Sequence, residues 1–217
     1  MNIKIVYDND AKPGFESGWG FSALVDDSTL FDTGENAVSL LSNLQAFGVQ
    51  PRQIERVVLS HDDWDHTGGI AVLKMCGPVD VYVPDSMSEK TIAEIRELNG
   101  ECRLTRVGSD TEAGPGMTIV GELGDEKKEI SLAMQAREGV VLLTGCAHPG
   151  LDRIMESASA YGSIYAVIGG FHGFNVLSEL LEVPVIVPCH CTQMKQEILS
   201  MHGKRAYVVA AGVQFDL

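Results

Sequence analysis

The chain has 217 residues, 45% hydrophobic and 21% charged, the proportions of a globular protein able to bury roughly 70% of its unfolded surface without disulfide staples. Disorder, collagen-like repeats and a small disulfide-framed scaffold are excluded. With 16 Lys and Arg against 30 Asp and Glu, the formal charge of −14 repels a nucleic-acid backbone or an anionic membrane.

In chain order, Asn2–Tyr7, Phe21–Val25 and Leu30–Phe31 read as strands, with the polar Asp8–Gly20 stretch as a long connection. Asn36–Phe47 places Val38, Leu40, Leu41, Leu44 and Phe47 at helical spacing, with Gly48 as the stop. Arg56–Leu59 is a buried strand that runs into Ser60-His61-Asp62-Asp63-Trp64-Asp65-His66-Thr67-Gly68-Gly69, and Ile70–Met75 continues as a helix. Val79–Val83, a helix over Ser86–Leu98, and strands near Arg103–Val107, Thr118–Leu123, Glu129–Ala136 and Val140–Leu143 follow. Gly108–Gly116 and Gly124–Lys128 carry turn residues and charges and read as loops of a β-hairpin region near the mouth of a site.

From Thr144 the order strand, motif, helix repeats. Gly145-Cys146-Ala147-His148-Pro149-Gly150 precedes a helix to about Ala160, Ile164–Ile168 precedes Gly169-Gly170-Phe171-His172-Gly173, and Val185–Val187 precedes Pro188-Cys189-His190-Cys191-Thr192. A helix over Gln193–Met201 and a strand over Ala206–Ala210 close the chain. No linker, low-complexity segment or composition break interrupts residues 1–217, so one domain is expected, an α/β arrangement of two sheets with helices packed outside each. No glycine-rich nucleotide fingerprint, P-loop or nucleophile elbow is present. No apolar run approaches the ~20 residues of a membrane helix. The odd set of five cysteines, with no secretory leader ahead of the first strand, points to a reducing cytoplasm.

Five of the 6 histidines lie in these strand-end clusters. His61, Asp63, Asp65 and His66 offer four ligands within one short loop. Alternate side chains on such a loop aim at different centres, so His61 and Asp63 suit one metal while Asp65 and His66 suit another. Mixed imidazole and carboxylate donors fit Zn, Mn or Fe rather than Mg or Ca. Thr67-Gly68-Gly69 then lets backbone approach closely. Trp64, between two ligand positions, is either a pocket wall for a planar substrate or a core residue. His202 before Gly203 fits a helix C-terminus, where the dipole favours imidazolium, and takes no catalytic role.

At these residues the chain resembles the metallo-β-lactamase superfamily, whose signature is His-x-His-x-Asp-His after a strand, and the resemblance extends over nearly the whole chain. It implies a four-layer αββα sandwich. Asp32-Thr33-Gly34 matches an upstream Asp-x-Gly element whose aspartate orients ligands. The three later motifs are similar to the subgroup containing the dihydropterin–ribofuranosylaminobenzene phosphate synthases. Two positions depart from the superfamily pattern. Asp63 stands where the signature has its second histidine, and Cys146 stands where most members have a bridging aspartate, leaving open whether it ligates.

The resemblance implies one or two divalent ions, zinc first with iron or manganese as alternatives, held by His61, Asp63, Asp65, His66, His148 and His190. Asp65 combines ligation with proton handling. His172 is a ligand, a general acid or base, or a donor to substrate. Successive side chains on an extended segment point to opposite sides, so Cys189, His190 and Cys191 do not all face one metal, and the two cysteines are expected to pack. The implied function is a metal-dependent hydrolase acting on a small, phosphorylated or planar molecule, with neither nucleic acid nor membrane as partner. The alternatives are a pterin-type transferase and a non-catalytic ligand-binding member.

Overall fold

The computed structural model describes Met1–Leu217. Strands β1 (Asn2–Tyr7), β2 (Ser22–Val25) and β3 (Thr29–Phe31) lead into helix α1 (Ala37–Ala46), β4 (Arg56–Val58), the one-turn α2 (Trp64–Thr67), β5 (Asp80–Pro84), α3 (Glu89–Leu98) and β6 (Arg103–Val107). The second half holds β7 (Thr111–Gly114), β8 (Met117–Leu123), β9 (Glu129–Ala136), β10 (Gly139–Thr144), α4 (Leu151–Ala158), β11 (Ile164–Gly170), β12 (Val185–Cys189), α5 (Lys195–His202) and β13 (Gln214–Asp216).

The strands form a seven-stranded sheet, β13-β1-β2-β3-β4-β5-β6, and a six-stranded sheet, β12-β11-β10-β9-β8-β7. Alternation along each strand sends one set of side chains between the sheets and the other outward. Val58 and Phe31 face Leu132, Leu143, Ile168 and Val187 in a shared interlayer. Their neighbours Val57 and Leu30 pack outward with Leu40 and Leu44 of α1 and Ile92 and Ile95 of α3. On the other side, Leu142 and Val167 pack with Leu151 and Ile154 of α4 and Ile198 of α5. The four-layer αββα sandwich is therefore present.

Helix limits follow local chemistry. The Asn36 side chain accepts from the Val38 and Ser39 backbone N–H groups at 2.8 and 3.2 Å, and the Ser88 hydroxyl accepts from Thr91 at 3.2 Å, so α1 and α3 begin at capped ends. Ile70–Met75, expected as a helix, is 3-10.

Three expectations are corrected. Within Gly108–Gly116, read as a loop of a β-hairpin region, the hairpin is present but Thr111–Gly114 is its edge strand, paired antiparallel with β8. Ala206–Ala210, read as a strand, finds no ladder; Ala206 makes one isolated bridge to Ile186, Val208 is exposed, and the last strand is β13, paired antiparallel with β1. His202 does end α5, but burial and the nearby Arg205 push its pKa down, against the imidazolium expected there.

Each sheet is half parallel: β3 to β6 run together, as do β10 to β12. Turns at the carboxyl ends of such strands form the crevice of an α/β protein. Asp32 follows β3, His61 follows β4, Cys146 and His148 follow β10, His172 follows β11 and His190 follows β12. Four of these turns hold non-glycine backbone in the left-handed region: Asp32 (φ 55°), Ala147 (57°), His172 (40°) and His190 (45°). Such strain costs on the order of 1–3 kcal/mol per residue and persists only where the surroundings enforce it. Gly69 shows how tightly the first two turns meet, since a Cβ there would lie 2.1 Å from the Thr33 carbonyl oxygen.

Candidate metal centre

Four histidines converge, and each has its Nδ1 committed to a protein group. His66 Nδ1 meets Asp32 Oδ2 at 2.7 Å, His148 Nδ1 meets Glu129 Oε1 at 2.5 Å, and His190 Nδ1 meets Asn9 Oδ1 at 2.9 Å. His61 Nδ1 lies 2.8 Å from Ser60 Oγ, whose own proton goes to Asp32 Oδ2 at 2.7 Å. All four partners are acceptors, so in the neutral ring the proton sits on Nδ1 and the lone pair on Nε2. The four Nε2 atoms are thus prepared as ligands by their outward bonds, the arrangement that orients metal-binding imidazoles.

The inward atoms fall into two groups. His61, Cys146 and His148 offer donor atoms within 4.8 Å of one another, as do His66, Cys146 and His190, with the Cys146 sulfur common to both. His66 Nε2 is 3.1 Å from Cys146 Sγ, and His190 Nε2 is 3.1 Å from Asp65 Oδ2. A lone pair facing a carboxylate is repulsive unless a proton or cation lies between. His61 Nε2 is buried, lies 3.3 Å from Asp63 Oδ2 and makes no hydrogen bond. A buried nitrogen without a partner costs free energy on the order of 1–3 kcal/mol, which a cation would relieve. Nitrogen, sulfur and carboxylate donors in one buried cluster fit a borderline-soft divalent ion.

The charges follow from these contacts. Burial alone would lower the His66 pKa, but the Asp32 carboxylate, with Asp65 and Glu129, outweighs it and the group is raised. In His190 burial wins and the pKa falls. The Asp63 carboxyl is held well below the usual range by the His61 imidazole and by the Lys127 ammonium, with which it forms an ion pair. Burial opposes ionisation of Asp65 and Glu129, yet His190 lowers the first and His148 the second, to about 2.

The structure places the other expected residues as follows. Asp32 is fully buried and accepts from the Ser60 backbone N–H at 2.7 Å as well. His172 lies outside both donor groups; its ring stacks on that of His148 with centroids 4.7 Å apart, and it faces solvent. Burial and the neighbouring His148 lower its pKa. Trp64 is 61% exposed and lines a separate cavity with Ser88 and Thr91. Cys189 packs in the interlayer as expected, but Cys191 does not simply pack: its sulfur reaches Cys146 Sγ at 3.1 Å.

Several neighbours escaped the sequence reading. Glu129 accepts from the backbone N–H groups of Cys146, Ala147 and His148 at 3.4, 2.9 and 3.2 Å, fixing the turn as well as the ring. Its signal was available: a carboxylate opening a strand whose next residues are all apolar or small. Asn9 and Asp8 bind His190, the latter through the backbone N–H at 2.8 Å. Nothing marked them within the long connection. Trp19, not Trp64, is the tryptophan at the centre, edge-on to His190 with centroids 5.0 Å apart. Lys127, His148 and His172 share a 370 Å³ cavity whose lining is polar.

A family model described as the metallo-beta-lactamase superfamily matches residues 20–190. The chain is similar to 7,8-dihydropterin-6-methyl-4-(beta-D-ribofuranosyl)-aminobenzene-5'-phosphate synthase of Methanocaldococcus jannaschii, with 28% identity covering 79% of this chain and 78% of that one. It is similar in structure to Tm1679, a metal-dependent hydrolase of the beta-lactamase superfamily, at 27% identity and a TM-score of 0.82, covering 100% of this chain and 99% of that one. The zinc-bound PqqB of Methylobacterium extorquens shares the fold at 14% identity and a TM-score of 0.66, with 100% of each chain covered.

Proposed function

The chain belongs to the metallo-beta-lactamase superfamily, and on that premise we propose that it is a metal-dependent hydrolase of a small phosphorylated molecule. The observation that carries this reading is the convergence of four imidazoles in two donor groups that share the Cys146 sulfur, with the His61 Nε2 buried and unpartnered. His61, Asp63, His148 and Cys146 would hold one ion, and Asp65, His66, His190 and Cys146 the other, with zinc the best match to a shell that includes sulfur. When bound, such an ion supplies Lewis acidity, bringing the pKa of water from 15.7 toward about 7 and polarising the oxygen under attack.

The protein's own groups do the rest. Asp65, whose Oδ2 faces His190 Nε2 at 3.1 Å, is placed to hold a proton taken from water while staying in the donor set. His172, stacked on His148 at the solvent edge with its pKa lowered, is a neutral base able to take up a proton and return it to a leaving group. Lys127 offers its ammonium to an anionic substituent in the polar cavity. That local positive charge matters in a chain of net charge −14.

A second reading draws on the Methanocaldococcus jannaschii relative: a synthase joining a dihydropterin to a ribofuranosyl aminobenzene phosphate. In that case the same donors would stabilise a departing phosphate-type group instead of assisting water. Elemental analysis followed by product analysis separates the readings. Zinc-loaded protein is incubated with the pterin and aminobenzene pair and, in parallel, with phosphodiesters, esters and lactones. Hydrolysis within the panel and no joined product supports the hydrolase; the joined product supports the synthase. Failure to retain Zn, Mn or Fe would overturn both.

A further inference from the structure

Cys146 and Cys191 bring their sulfurs to 3.1 Å at the centre of the donor cluster. Cys146 is 3% exposed in the turn after β10, and Cys191 is half-buried just past His190. The strand between them, β11, ends at Gly170. A Cβ on Gly170 would lie 2.5 Å from the Gly145 carbonyl oxygen, 2.7 Å from Cys191 Sγ and 3.2 Å from Cys146 Cα, so any larger residue would displace the Cys146 turn and the Cys191 sulfur. The second glycine of Gly169-Gly170 therefore allows the thiols to meet. The other cysteines lack such a partner: Cys189 is fully buried with its thiol bonded to the Val187 carbonyl at 3.3 Å, while Cys76 and Cys102 border the outer apolar layer.

We propose that Cys146 and Cys191 form an oxidative-modification site, at which a hydroperoxide converts the pair to a disulfide and so withdraws the sulfur shared by both metal donor groups. The more accessible Cys191 thiolate attacks the peroxide; the O–O bond breaks, leaving a sulfenic acid and releasing an alcohol, or water when the oxidant is hydrogen peroxide. The Cys146 sulfur then attacks the Cys191 sulfur. The S–S bond forms, the S–O bond breaks, and the hydroxide leaves with the Cys146 proton as water. Two thiols and one hydroperoxide thus give one disulfide, one water and one alcohol. A sulfur held in a disulfide no longer carries the thiolate charge that binds metal.

The metal-release half rests on the metal-centre reading above; the cross-link does not. Hydrogen peroxide is added at one equivalent to the metal-free and the zinc-loaded protein, each then peptide-mapped without reduction and analysed for zinc. Metal-free protein should lose two of its five free thiols, fall in mass by two hydrogens and yield a Cys146–Cys191 linked peptide that a dithiol reductant separates. Zinc-loaded protein should lose at least about tenfold in bound zinc and regain it on reduction. Cys191→Ser should form no linked peptide and keep zinc at that dose, Cys191→Ala repeating the measurement should serine disturb folding, and Cys189→Ser should behave as wild type. Intact thiols, oxidation of single cysteines without linkage, or a link through Cys189 would overturn the site. A linked peptide with zinc retained would overturn the release. Failure to bind zinc at all would count against the metal reading, with the cross-link still decided by the metal-free arm.

Discussion

Replacing Asp32 by asparagine asks whether the outward half of the centre sets the inward half. The carboxylate accepts from the Ser60 backbone N–H, the Ser60 hydroxyl and His66 Nδ1, each at 2.7 Å, and is fully buried. Asparagine keeps the outline but presents an amide N–H where the hydroxyl and imidazole protons arrive. His66 can then bond the amide only by accepting at Nδ1, which moves its proton to Nε2 and removes the lone pair that faces Cys146. Outer partners of ligating histidines typically govern 10–100-fold in metal affinity, about 1.4–2.8 kcal/mol. The metal-free fold should be destabilised by a comparable amount. Ser60 N–H keeps its acceptor, and disturbing the other bonds costs ~1–3 kcal/mol, at roughly 2–4 °C of melting temperature per kcal/mol for this length. The assay is competition for zinc against a chromophoric chelator, beside thermal melts of the metal-free protein. Zinc affinity within about twofold of wild type, with a lowered melting temperature, would show that Asp32 supports only the fold and would refute the tautomer reasoning.

Glu129→Gln carries a pH signature: the native carboxyl titrates at about 2 against an ordinary 4.5, so its stabilisation is complete above 4.5 and is lost as pH falls toward 2. Metal-free wild type should therefore lose melting temperature steeply across that window, and the glutamine variant should start lower and fall less; parallel curves would count against it. Trp19, edge-on to His190, should have its fluorescence quenched by bound cobalt(II) more strongly than Trp64, which lines a separate cavity, so Trp19→Phe removes most of the quench and Trp64→Phe preserves it. Lys127→Met should raise KM for a phosphorylated substrate about tenfold, the loss expected for a hydrogen bond to a charged group, while leaving zinc content and KM for a neutral ester unchanged. Equal losses on both substrates would assign Lys127 to holding Asp63 instead.

The sandwich was legible because its signals are local and periodic: Val57 and Val58, or Leu142 and Leu143, alternate between outer layer and interlayer as a strand between two apolar regions must. The ligand loop was legible because its donors are adjacent in sequence. What escaped depends on long-range placement. Asn9 meets His190 across 181 positions, and Cys191 meets Cys146 across 45, pairings that no spacing rule encodes. Asp63 was read as a ligand from its place in the loop, but the ion pair that Lys127 forms with it comes from the opposite sheet's β8–β9 connection. The strand expected over Ala206–Ala210 shows the same limit, since an extended segment becomes a strand only where a ladder partner is within reach.

The donors hang from two different sheets. His61, Asp63, Asp65 and His66 belong to the turn after β4 of the seven-stranded sheet, and Cys146, His148 and His190 to turns of the six-stranded one. The gap they must span is therefore gauged by the apolar filling between the sheets, much as a shim sets the opening of a pair of jaws. Ile168, fully buried in that filling, lies two residues before Gly170 and carries no ligating atom. Ile168→Ala should destabilise the fold by about 2–5 kcal/mol and, by letting the sheets settle, should also change zinc affinity measured well below the melting temperature. An outward-facing deletion such as Val57→Ala should cost stability alone, so that a hydrocarbon residue with no chemistry of its own helps determine which ion the jaws close upon.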